Sequence, residues 1–466
     1  MTTTPAVAVP FGAAEVEQFL TTGVRTDSPQ PGASAFPEVL EDLAALSLPP
    51  GAPVLIVLPN GIDLLSVFFA VSLLGGVPVP MASSATAART REVAVALGAA
   101  AVVAPSLRAG PLGGSGRYRV GRLDAVALPS ARPADYSPGE VVIPTSGTSG
   151  IFSACVHTVD ALLRNSRRHA AAIGQRPDDT ILVTLPMNYS YALVAQALSA
   201  FATGCRLVVS GPPFTAPAYR AAVRSHGITV SSLTPVLVRM LARQELSLPS
   251  SLRVLTVGGD ALEPALVARV LAENPGLELY LTYGLTEAGP RVSTLAAHRE
   301  PAGRHSSVGL PLPGVRAFLR NPDRTGCGEL LVASDTVLRR KVGRNDGDAA
   351  DPLVSPGVLA TGDRFVIDED GYLYFRGRLR DFLVVDGQKV ALPSIRRFAG
   401  SLPGVLKAVT KVHRADGDRV RFDLELYVDE VADTRAIERR LREVLLRNER
   451  PAAVVFHAEL PSGVHK

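Results

Sequence analysis

Small hydroxylated residues and glycines follow a short apolar run at residues 141–143, in the segment PTSGTSG at residues 144–150. The backbone N–H groups and hydroxyls of such a segment can close around phosphate oxygens. A plain Ser/Gly loop has the same composition, because glycine-rich loops are common. The segment alone therefore indicates phosphate binding without establishing it.

A second polar segment, YGLTE at residues 283–287, follows the predicted strand ELYLT. The ring of Tyr283 can stack on a nucleotide base, the Thr286 hydroxyl can reach a phosphate, and the Glu287 carboxylate can hold Mg²⁺. An ordinary turn with a helix-capping Thr-x-Glu pattern has the same residues. The YGLTE segment therefore indicates nucleotide binding only when it occurs together with other nucleotide-binding segments.

A third group lies further along the chain, where TGD at residues 361–363 is followed by the segment GRLRD at residues 377–381. An aspartate beside an arginine can bind the two hydroxyls of a ribose. A solvated salt bridge at a strand end has the same residues. Between them, the three segments offer side chains that could bind the phosphates, the base and the sugar of a nucleotide.

The elements that would position these residues alternate between short apolar strands and longer helical patterns. Strands are predicted at residues 53–60, 179–186, 205–211, 228–234 and 252–260. Helical spacing of apolar residues fills the intervals, which predicts an α/β fold with largely parallel sheets. In such sheets ligands bind beyond the carboxyl ends of the strands.

The pattern changes after about residue 300, where short strands are separated by turns. From residue 379 onward a new unit of strands and helices begins, which is large enough to form a small α+β domain. We therefore predict an N-terminal domain over residues 1–378 and a C-terminal domain over residues 379–466. Residues 22–37, rich in Pro, Ser and Gly, are predicted to form a loop.

Composition excludes several classes of protein. Apolar residues make up 47% of the 466-residue chain and charged residues 20%, as in ordinary globular proteins. The net charge of +4 comes without a basic tail or stripe, so no nucleic-acid partner is expected. The most apolar run, residues 64–82, is interrupted by glycines and prolines, so no membrane span is expected. Three widely spaced cysteines and no signal peptide favour a reducing cytoplasm.

The order of TSGTSG, YGLTE, TGD and GRLRD resembles that of the adenylate-forming superfamily, which includes acyl- and aryl-CoA ligases, adenylation domains of peptide synthetases, and luciferases. Four further segments match it: residues 73–80, 185–191, 257–262 and 307–314. The resemblance extends over essentially the whole chain. It implies a large N-terminal domain of mixed and parallel sheets packed with helices, plus a small mobile α+β domain joined by a hinge.

The resemblance also implies a role for individual residues. The residues implied to bind the nucleotide are Thr145, Ser146, Gly147, Thr148 and Gly150 along the phosphates, Gly258, Gly259 and Asp260 along the adenine, Tyr283 stacked on it with Gly284 beside it, Thr286 at the α-phosphate, and Asp363 with Arg378 at the ribose. The residues implied to act in catalysis or domain motion are Glu287 at Mg²⁺, Thr148, the adenylation lysine Lys466, and Arg380 at the hinge. The acid would lie against Asn188 and Tyr189.

The chain departs from the superfamily pattern at its lysines. The phosphate loop of the superfamily usually continues into Pro-Lys-Gly, and this chain has Ser153 at the lysine position. No lysine occurs before Lys341, so no shift of the alignment restores it. Lys466 is the last residue, two positions beyond the usual place of the C-terminal lysine, and either serves in adenylation or belongs to a frayed end.

The resemblance implies an ATP-dependent acid ligase. A carboxylate attacks the α-phosphorus of ATP to give an acyl- or aryl-adenylate, and rotation of the small domain lets a thiol of coenzyme A or of carrier-protein phosphopantetheine take the acyl group. An aryl or modest aliphatic acid is expected, because residues 187–193 contain no aspartate to hold an amino group. The alternatives are activation of another oxyanion, such as nitrite in forming a diazo group, and a degenerate nucleotide-binding homologue without turnover.

Overall fold

The computed structural model describes residues 9–27, 32–114, 116–129, 135–145, 153–211, 213–343, 352–379, 382–385, 388–414, 420–445 and 449–459. The first strands are β1 (Val24–Thr26), β2 (Pro53–Val57), β3 (Val77–Met81), β4 (Ala101–Ala104), β5 (Gly116–Val120), β6 (Leu123–Ala127), β7 (Glu140–Pro144), β8 (Ser153–Thr158), β9 (Thr180–Val183), β10 (Arg206–Val209), β11 (Val230–Leu233), β12 (Val254–Gly258), β13 (Glu278–Gly284) and β14 (Arg291–Ala296). The later strands are β15 (Leu310–Pro311), β16 (Arg316–Arg320), β17 (Gly328–Ala333), β18 (Arg340–Gly343), β19 (Leu353–Ser355), β20 (Val358–Ile367), β21 (Leu373–Arg378), β22 (Phe382–Val385), β23 (Gln388–Ala391), β24 (Val405–Arg414), β25 (Val420–Val428) and β26 (Val454–His457).

Helices alternate with these strands. The α-helices are α1 (Ala13–Gln18), α2 (Phe36–Ala45), α3 (Ile62–Leu73), α4 (Ala87–Leu97), α5 (Ala109–Leu112), α6 (Val159–Ala172), α7 (Ser190–Ala192), α8 (Ser199–Thr203), α9 (Ala216–Ser225), α10 (Pro235–Gln244), α11 (Pro264–Glu273), α12 (Leu392–Gly400) and α13 (Thr434–Val444). Short π-helical segments occur at Phe19–Gly23 and Leu193–Leu198. Short 3₁₀-helices occur at Thr286–Ala288, Ala297–Arg299 and Ala302–Arg304. Within the described part of the chain, none of the helices combines the length and hydrophobicity needed to cross a bilayer.

An eight-stranded sheet forms the centre of the molecule, in the order β1-β10-β9-β11-β12-β13-β14-β15. The first six strands are parallel and the last two pairings are antiparallel. Strands β9, β11 and β12 are buried along their whole length, as continuous apolar or small sequences predict for a parallel sheet covered on both faces. Their carboxyl ends meet at one edge, where the predicted nucleotide segments begin.

A second, five-stranded sheet has the order β3-β2-β4-β6-β5. The helix α3 connects β2 to β3, and it is apolar on most of its circumference because it lies inside the large core. This explains the run at residues 64–82: it is a buried helix that passes into a buried strand, as predicted.

The segment predicted as a loop at residues 22–37 is only partly one. Val24–Thr26 forms the edge strand β1, in parallel register with β10. The preceding chain is fixed by aromatic packing, since the ring of Phe19 lies 5.3 Å from that of Phe201 and the ring of Phe11 lies 5.2 Å from that of Phe69. Tertiary packing of this kind overrides a Pro- and Gly-rich local sequence.

Two smaller antiparallel sheets follow the changed sequence pattern after residue 300. One joins β16, β17, β20 and β19, with β21 beside β20. The other has the order β18-β8-β7, so it combines a strand from the late part of the chain with the hairpin that encloses the phosphate-loop segment. This three-stranded sheet brings residues more than 180 positions apart into direct register.

The C-terminal part has a hydrophobic core of its own, built on β24, β25, α12 and α13. It touches the large part through an ion pair in which Arg243 Nη1 lies 3.1 Å from Asp429 Oδ2. A large sheet-and-helix part followed by a smaller α+β part confirms the predicted fold class. The boundary between residues 378 and 379 stays a prediction, and the hinge residue Arg380 lies outside the described residues.

We expect Asp179 to stabilise the central sheet. Its buried carboxylate, 3% exposed, accepts hydrogen bonds from Arg253 Nη2 at 2.6 Å and Thr229 Oγ1 at 2.7 Å. Asp179→Ala leaves both donors without this acceptor and should lower the free energy of unfolding by about 3 kcal/mol, as measured by urea denaturation. The neighbouring Asp178 is exposed, so Asp178→Ala is the matched control with little expected change. Equal stability of the two variants would contradict this role of Asp179.

Candidate active site

The YGLTE segment forms the end of β13 and the short helix Thr286–Ala288. Gly284 has to be glycine because a Cβ at this position would lie 2.2 Å from the Pro290 carbonyl oxygen. That close approach lets the Leu285 N–H donate to the same oxygen at 3.0 Å. The turn is therefore narrow, and it directs the next three residues away from the strand.

Three successive carbonyls of this turn accept hydrogen bonds from the sheet that contains β8 and from the segment leading into β18. The donors and acceptors are His157 Nε2 to Thr286 O at 2.8 Å, Leu338 N to Glu287 O at 2.8 Å, and Thr336 Oγ1 to Ala288 O at 3.1 Å. Burial lowers the pKa of His157 to about 4, so the ring is neutral at pH 7 and donates through Nε2. The backbone of Glu287 is thereby fixed relative to the phosphate-loop hairpin.

The phosphate-loop hairpin closes between Thr145 and Ser153. The Thr145 N–H donates to the Ser153 carbonyl at 2.8 Å, and the Thr145 hydroxyl donates to the same oxygen at 3.1 Å. Of the predicted phosphate ligands, Thr145 is described, while Ser146, Gly147, Thr148 and Gly150 lie outside the described residues. The two ends of the loop are held together where the resemblance expects it.

A lysine that the sequence analysis did not assign to the site reaches it from β18. Lys341 pairs in register with Cys155, and Gly343 with Ser153, so Lys341 and Ser153 share one face of the sheet. The Lys341 Nζ lies 2.8 Å from Glu287 Oε1. A cation thus stands beside the position at which the superfamily lysine is replaced by serine.

The Glu287 carboxylate fits a Mg²⁺ ion shared with nucleotide phosphates. Mg²⁺ is usually bound through one or two carboxylates together with substrate phosphates and waters. Glu287 is the carboxylate present at this turn, and its side chain is 17% exposed. In the described ranges no cluster of three or more His, Cys, Asp or Glu side chains offers a complete protein cage. The donor set is consistent with a metal that arrives with the nucleotide.

Asp363, Tyr283 and Arg378 form one connected unit. The Tyr283 hydroxyl donates to Asp363 Oδ2 at 2.7 Å, and Arg378 Nε lies 3.1 Å from Asp363 Oδ1. Asp363 and Arg378 face each other in the β20–β21 register. Burial and the Asp363 charge raise the pKa of Tyr283 well above its usual value, so the phenol remains a donor. The predicted base-stacking and ribose-binding residues are therefore coupled.

The predicted adenine-side residues lie at the end of β12. A Cβ on Gly258 would approach Thr282 Oγ1 to 2.3 Å, and Gly259 has a φ of +92°, so both positions require glycine. Asp260 is exposed, and its carboxylate accepts from the Ala261 N–H at 2.8 Å. Burial lowers the pKa of Lys407 in the C-terminal part, and the charge of Asp260 opposes that shift. The adenine-side loop therefore faces the C-terminal unit.

The predicted acid-pocket segment lies at the start of α7. Asn188 is buried and Tyr189 is half-buried. The Ser190 hydroxyl lies 3.0 Å from Thr286 Oγ1, which joins this segment to the YGLTE turn. Tyr191 is partly buried against the large core, and Arg291 Cζ lies 3.9 Å from the centre of its ring. That arginine was also missed by the sequence analysis.

The structure brings most of the described site residues to the carboxyl ends of β12 and β13 and to the sheets beside them. Lys466, like Arg380, lies outside the described residues, so its role stays a prediction. The one signal that could have identified Lys341 is its rarity, since it is the first of five lysines. Arg291 carries no such signal, because the chain has many arginines.

Comparisons with known proteins identify the family of the chain. The family profile described as AMP-binding enzyme matches residues 41–340. The 2-succinylbenzoate–CoA ligase of Lactococcus lactis is 28% identical over 338 residues, which cover 72% of this chain and 71% of that protein. The salicyl-AMP ligase/salicyl-S-ArCP synthetase of Mycobacterium tuberculosis is 28% identical over 403 residues, with 78% and 70% covered.

Solved structures agree on the fold. The o-succinylbenzoate CoA synthetase of Bacillus subtilis in complex with its acyl-adenylate intermediate superposes with a TM-score of 0.76 at 18% identity, and 97% of this chain and 96% of that chain are covered. The same enzyme with ATP and a magnesium ion gives a TM-score of 0.76 at 19% identity, with 96% of each chain covered.

The chain belongs to the AMP-binding enzyme family. It is an ATP-dependent adenylate-forming ligase of the acid–thiol type, which confirms the activity expected from its motifs. The relatives do not favour the alternatives of another oxyanion or of a nucleotide-binding homologue without turnover.

We expect His169, which lies on α6 near Arg291, to make stability depend on pH. Burial and then the charge of Arg291 lower its pKa well below the usual value. Below about pH 6.5 the unfolded chain binds a proton at this ring that the folded chain does not, so the free energy of unfolding falls by up to about 1.4 kcal/mol per pH unit. Denaturation curves between pH 6.5 and 4.5 give the slope of the unfolding free energy against pH. In His169→Leu this slope should correspond to one fewer proton bound on unfolding. An unchanged slope would mean that His169 is protonated in the folded state.

Proposed function

We propose that this ligase activates a small aryl or aliphatic carboxylic acid with ATP and transfers the acyl group to the thiol of coenzyme A or of carrier-protein phosphopantetheine. In the first step an acid oxygen bonds to the α-phosphorus and pyrophosphate leaves. In the second step the thiol sulfur bonds to the acyl carbon, and AMP leaves with the former acid oxygen. The observation that carries the proposal is the charged pair Glu287–Lys341 held beside the phosphate-loop hairpin.

The nucleotide would lie across the carboxyl ends of β12 and β13. Tyr283 would contact the base, and Asp363, oriented by Arg378, would accept hydrogen bonds from the ribose hydroxyls. Because Asp363 already accepts from Tyr283, binding would exchange or share that hydrogen bond. Thr286, whose hydroxyl is paired with Ser190, would donate to the α-phosphate.

An acid anion that attacks a polyphosphate meets strong charge repulsion, so the phosphates require cations. Mg²⁺ bound at Glu287 would neutralise phosphate charge and orient the leaving group. Lys341 would add a second positive charge from β18, on the face that Ser153 shares. A lysine from a neighbouring strand would then do what the loop lysine does in the superfamily.

The acid would enter beside Asn188 and Tyr189. Relatives are named for succinylbenzoate, salicylic acid and long-chain fatty acids, which range from substituted benzoates to aliphatic chains and share a carboxylate. One relative is named for transfer to a carrier protein, so both thiol acceptors belong in the tests. Lys466 would act in the adenylation step only.

The proposal is tested by acid-dependent ATP–pyrophosphate exchange with Mg²⁺, over a panel of benzoates, aminobenzoates, diacids and fatty acids. Exchange that depends on one group of acids is expected, followed by thioester formation when coenzyme A or a phosphopantetheinylated carrier protein is added. Folded protein without exchange on any acid would contradict the acid-activating function. A further panel with nitrite and an arylamine would then test the other-oxyanion reaction.

Glu287→Gln keeps the shape of the side chain and removes its negative charge. Loss of a Mg²⁺ ligand should cost several kcal/mol of transition-state stabilisation and lower the exchange rate about 100-fold at saturating MgATP. Thermal unfolding checks that the variant is folded. Exchange at the parent rate would contradict Mg²⁺ coordination by Glu287.

Lys341→Met removes the cation and retains most of the aliphatic stem. We expect the variant to bind pyrophosphate and ATP about tenfold more weakly in calorimetric titrations, because charge-assisted contacts to phosphate are lost. AMP binding should stay at the parent value. Lys411→Met is the matched control, since Lys411 Nζ pairs with Glu425 Oε1 at 2.6 Å in the C-terminal part. Equal weakening of AMP and ATP would contradict a role at the outer phosphates.

A further inference from the structure

Arg291 is an unusual residue for the inside of an α/β domain. It begins β14, directly after Pro290, and it is 3% exposed. Its backbone is fixed by Asn165, which donates to the Arg291 carbonyl at 3.0 Å and accepts from the Arg291 N–H at 3.0 Å. The side chain therefore extends from a rigid anchor, and its direction is set by the fold.

The guanidinium is held on two sides. Its Nη1 donates to Thr282 Oγ1 at 2.8 Å, and its Cζ lies over the Tyr191 ring, 3.9 Å from the ring centre. The stacking and the single hydrogen bond fix the orientation of the group, in the way that arginine is used at recognition sites. These two contacts leave one edge of the Arg291 guanidinium available to another partner.

That edge consists of Nε and Nη2. Both nitrogens are buried and have no hydrogen-bond partner among the described residues. Arginine uses these two parallel N–H groups to bind the two oxygens of one carboxylate. No described Asp or Glu forms an ion pair with Arg291, and burial together with the Arg291 charge lowers the pKa of His169 well below its usual value, so this ring adds no charge at pH 7. A buried charge without a counter-charge is unfavourable, and an anion bound at this edge would supply the counter-charge.

The position of Arg291 points to the acid end of the site. A Cβ on Gly258 would lie 3.1 Å from Arg291 Nη1, so the arginine reaches the ends of β12 and β13 beside the expected nucleotide. Its stacking partner Tyr191 belongs to the acid-pocket segment and follows Ser190, which contacts Thr286. The unpaired edge of the guanidinium therefore lies near the acid segment and the turn Thr286–Ala288. No solvent reaches Nε or Nη2, so a ligand there has to displace neighbouring side chains.

We propose that Arg291 selects an acid that carries a second carboxylate. One carboxylate of the diacid is adenylated, and the other is bound by Arg291 Nε and Nη2. The inference rests on the proposed function for the location of the acid, and it adds the substrate class. Arg291 acts here in substrate recognition and takes no part in bond making or breaking.

The test compares matched acids that differ by one carboxylate: benzoate with the three benzenedicarboxylates, 4-oxo-4-phenylbutyrate with 2-succinylbenzoate, and propionate with succinate. Dissociation constants are measured by calorimetry in the presence of AMP, and KM values by ATP–pyrophosphate exchange. We expect at least one diacid to bind about 30-fold more tightly than its monoacid, as two charge-assisted hydrogen bonds imply. Comparable binding of monoacid and diacid in every pair would overturn the proposal.

Arg291→Gln should remove this preference by weakening diacid binding about 30-fold while leaving the monoacid dissociation constant unchanged. Arg291→Lys keeps the charge without the paired donors and should retain only part of the preference. Arg220, a second buried arginine whose Nη2 donates to the Leu241 carbonyl, provides the control Arg220→Gln, for which the preference should persist. A diacid preference that survives in Arg291→Gln would overturn the assignment, and so would its loss in Arg220→Gln.

The outcomes separate this inference from the proposed function. Diacid binding that depends on Arg291 without any exchange would overturn acid activation and leave the recognition site standing. Exchange restricted to monoacids would support acid activation and overturn the role of Arg291. If Arg291→Gln fails to fold by circular dichroism, the parent protein and Arg291→Lys still decide the question through the paired acids.

Discussion

The arrangement of the site depends on how the short turn Thr286–Ala288 is held against the three-stranded sheet β18-β8-β7. Three consecutive carbonyls, which would otherwise point into a crowded interior without partners, are satisfied by His157, Thr336 and the Leu338 N–H. Unpaired buried carbonyls are costly, so this geometry is strongly specified. It places the Glu287 carboxylate beside the hairpin that encloses the phosphate-loop segment, although the two are distant in sequence.

The same sheet is the basis of our proposal that Lys341 compensates for Ser153. Because β18 pairs with β8, a side chain that is distant in sequence occupies the same face as residue 153. The attraction between a cation and a phosphate depends on the distance between them, whichever strand carries the cation. On this proposal, the loop lysine is replaced by a lysine from a strand that is distant in sequence.

The sequence predicted the alternating α/β order, the buried strands and the family, because these depend on local patterns of apolar residues and on short motifs. The roles of the residues in the nucleotide segments stay predictions. It could not predict Lys341 or Arg291, since their importance comes from strand pairing and from burial. The strand at Val24–Thr26 was missed for a related reason: its pairing with β10 outweighs a loop-like composition. The coupling of Tyr283 to Asp363 likewise appears only when two sheets meet.

The two parts of the molecule meet at charged groups on the nucleotide side. Arg243 pairs with Asp429, and the charge of Asp260 acts on Lys407. An ion pair between partly exposed groups contributes little net stability. In the proposed two-step reaction, rotation of the C-terminal part would exchange the Arg243–Asp429 pair for other contacts.

The scarcity of lysine has a chemical consequence. Acyl-adenylates are mixed anhydrides that react with amines, and guanidinium groups stay protonated and unreactive at neutral pH. Of 48 lysine and arginine residues, five are lysines, and none occurs before Lys341. An enzyme that makes such an electrophile and presents positive charge almost entirely as arginine exposes few nucleophiles to its own product. Within residues 1–378, Lys341 is the only lysine that such an electrophile could acylate.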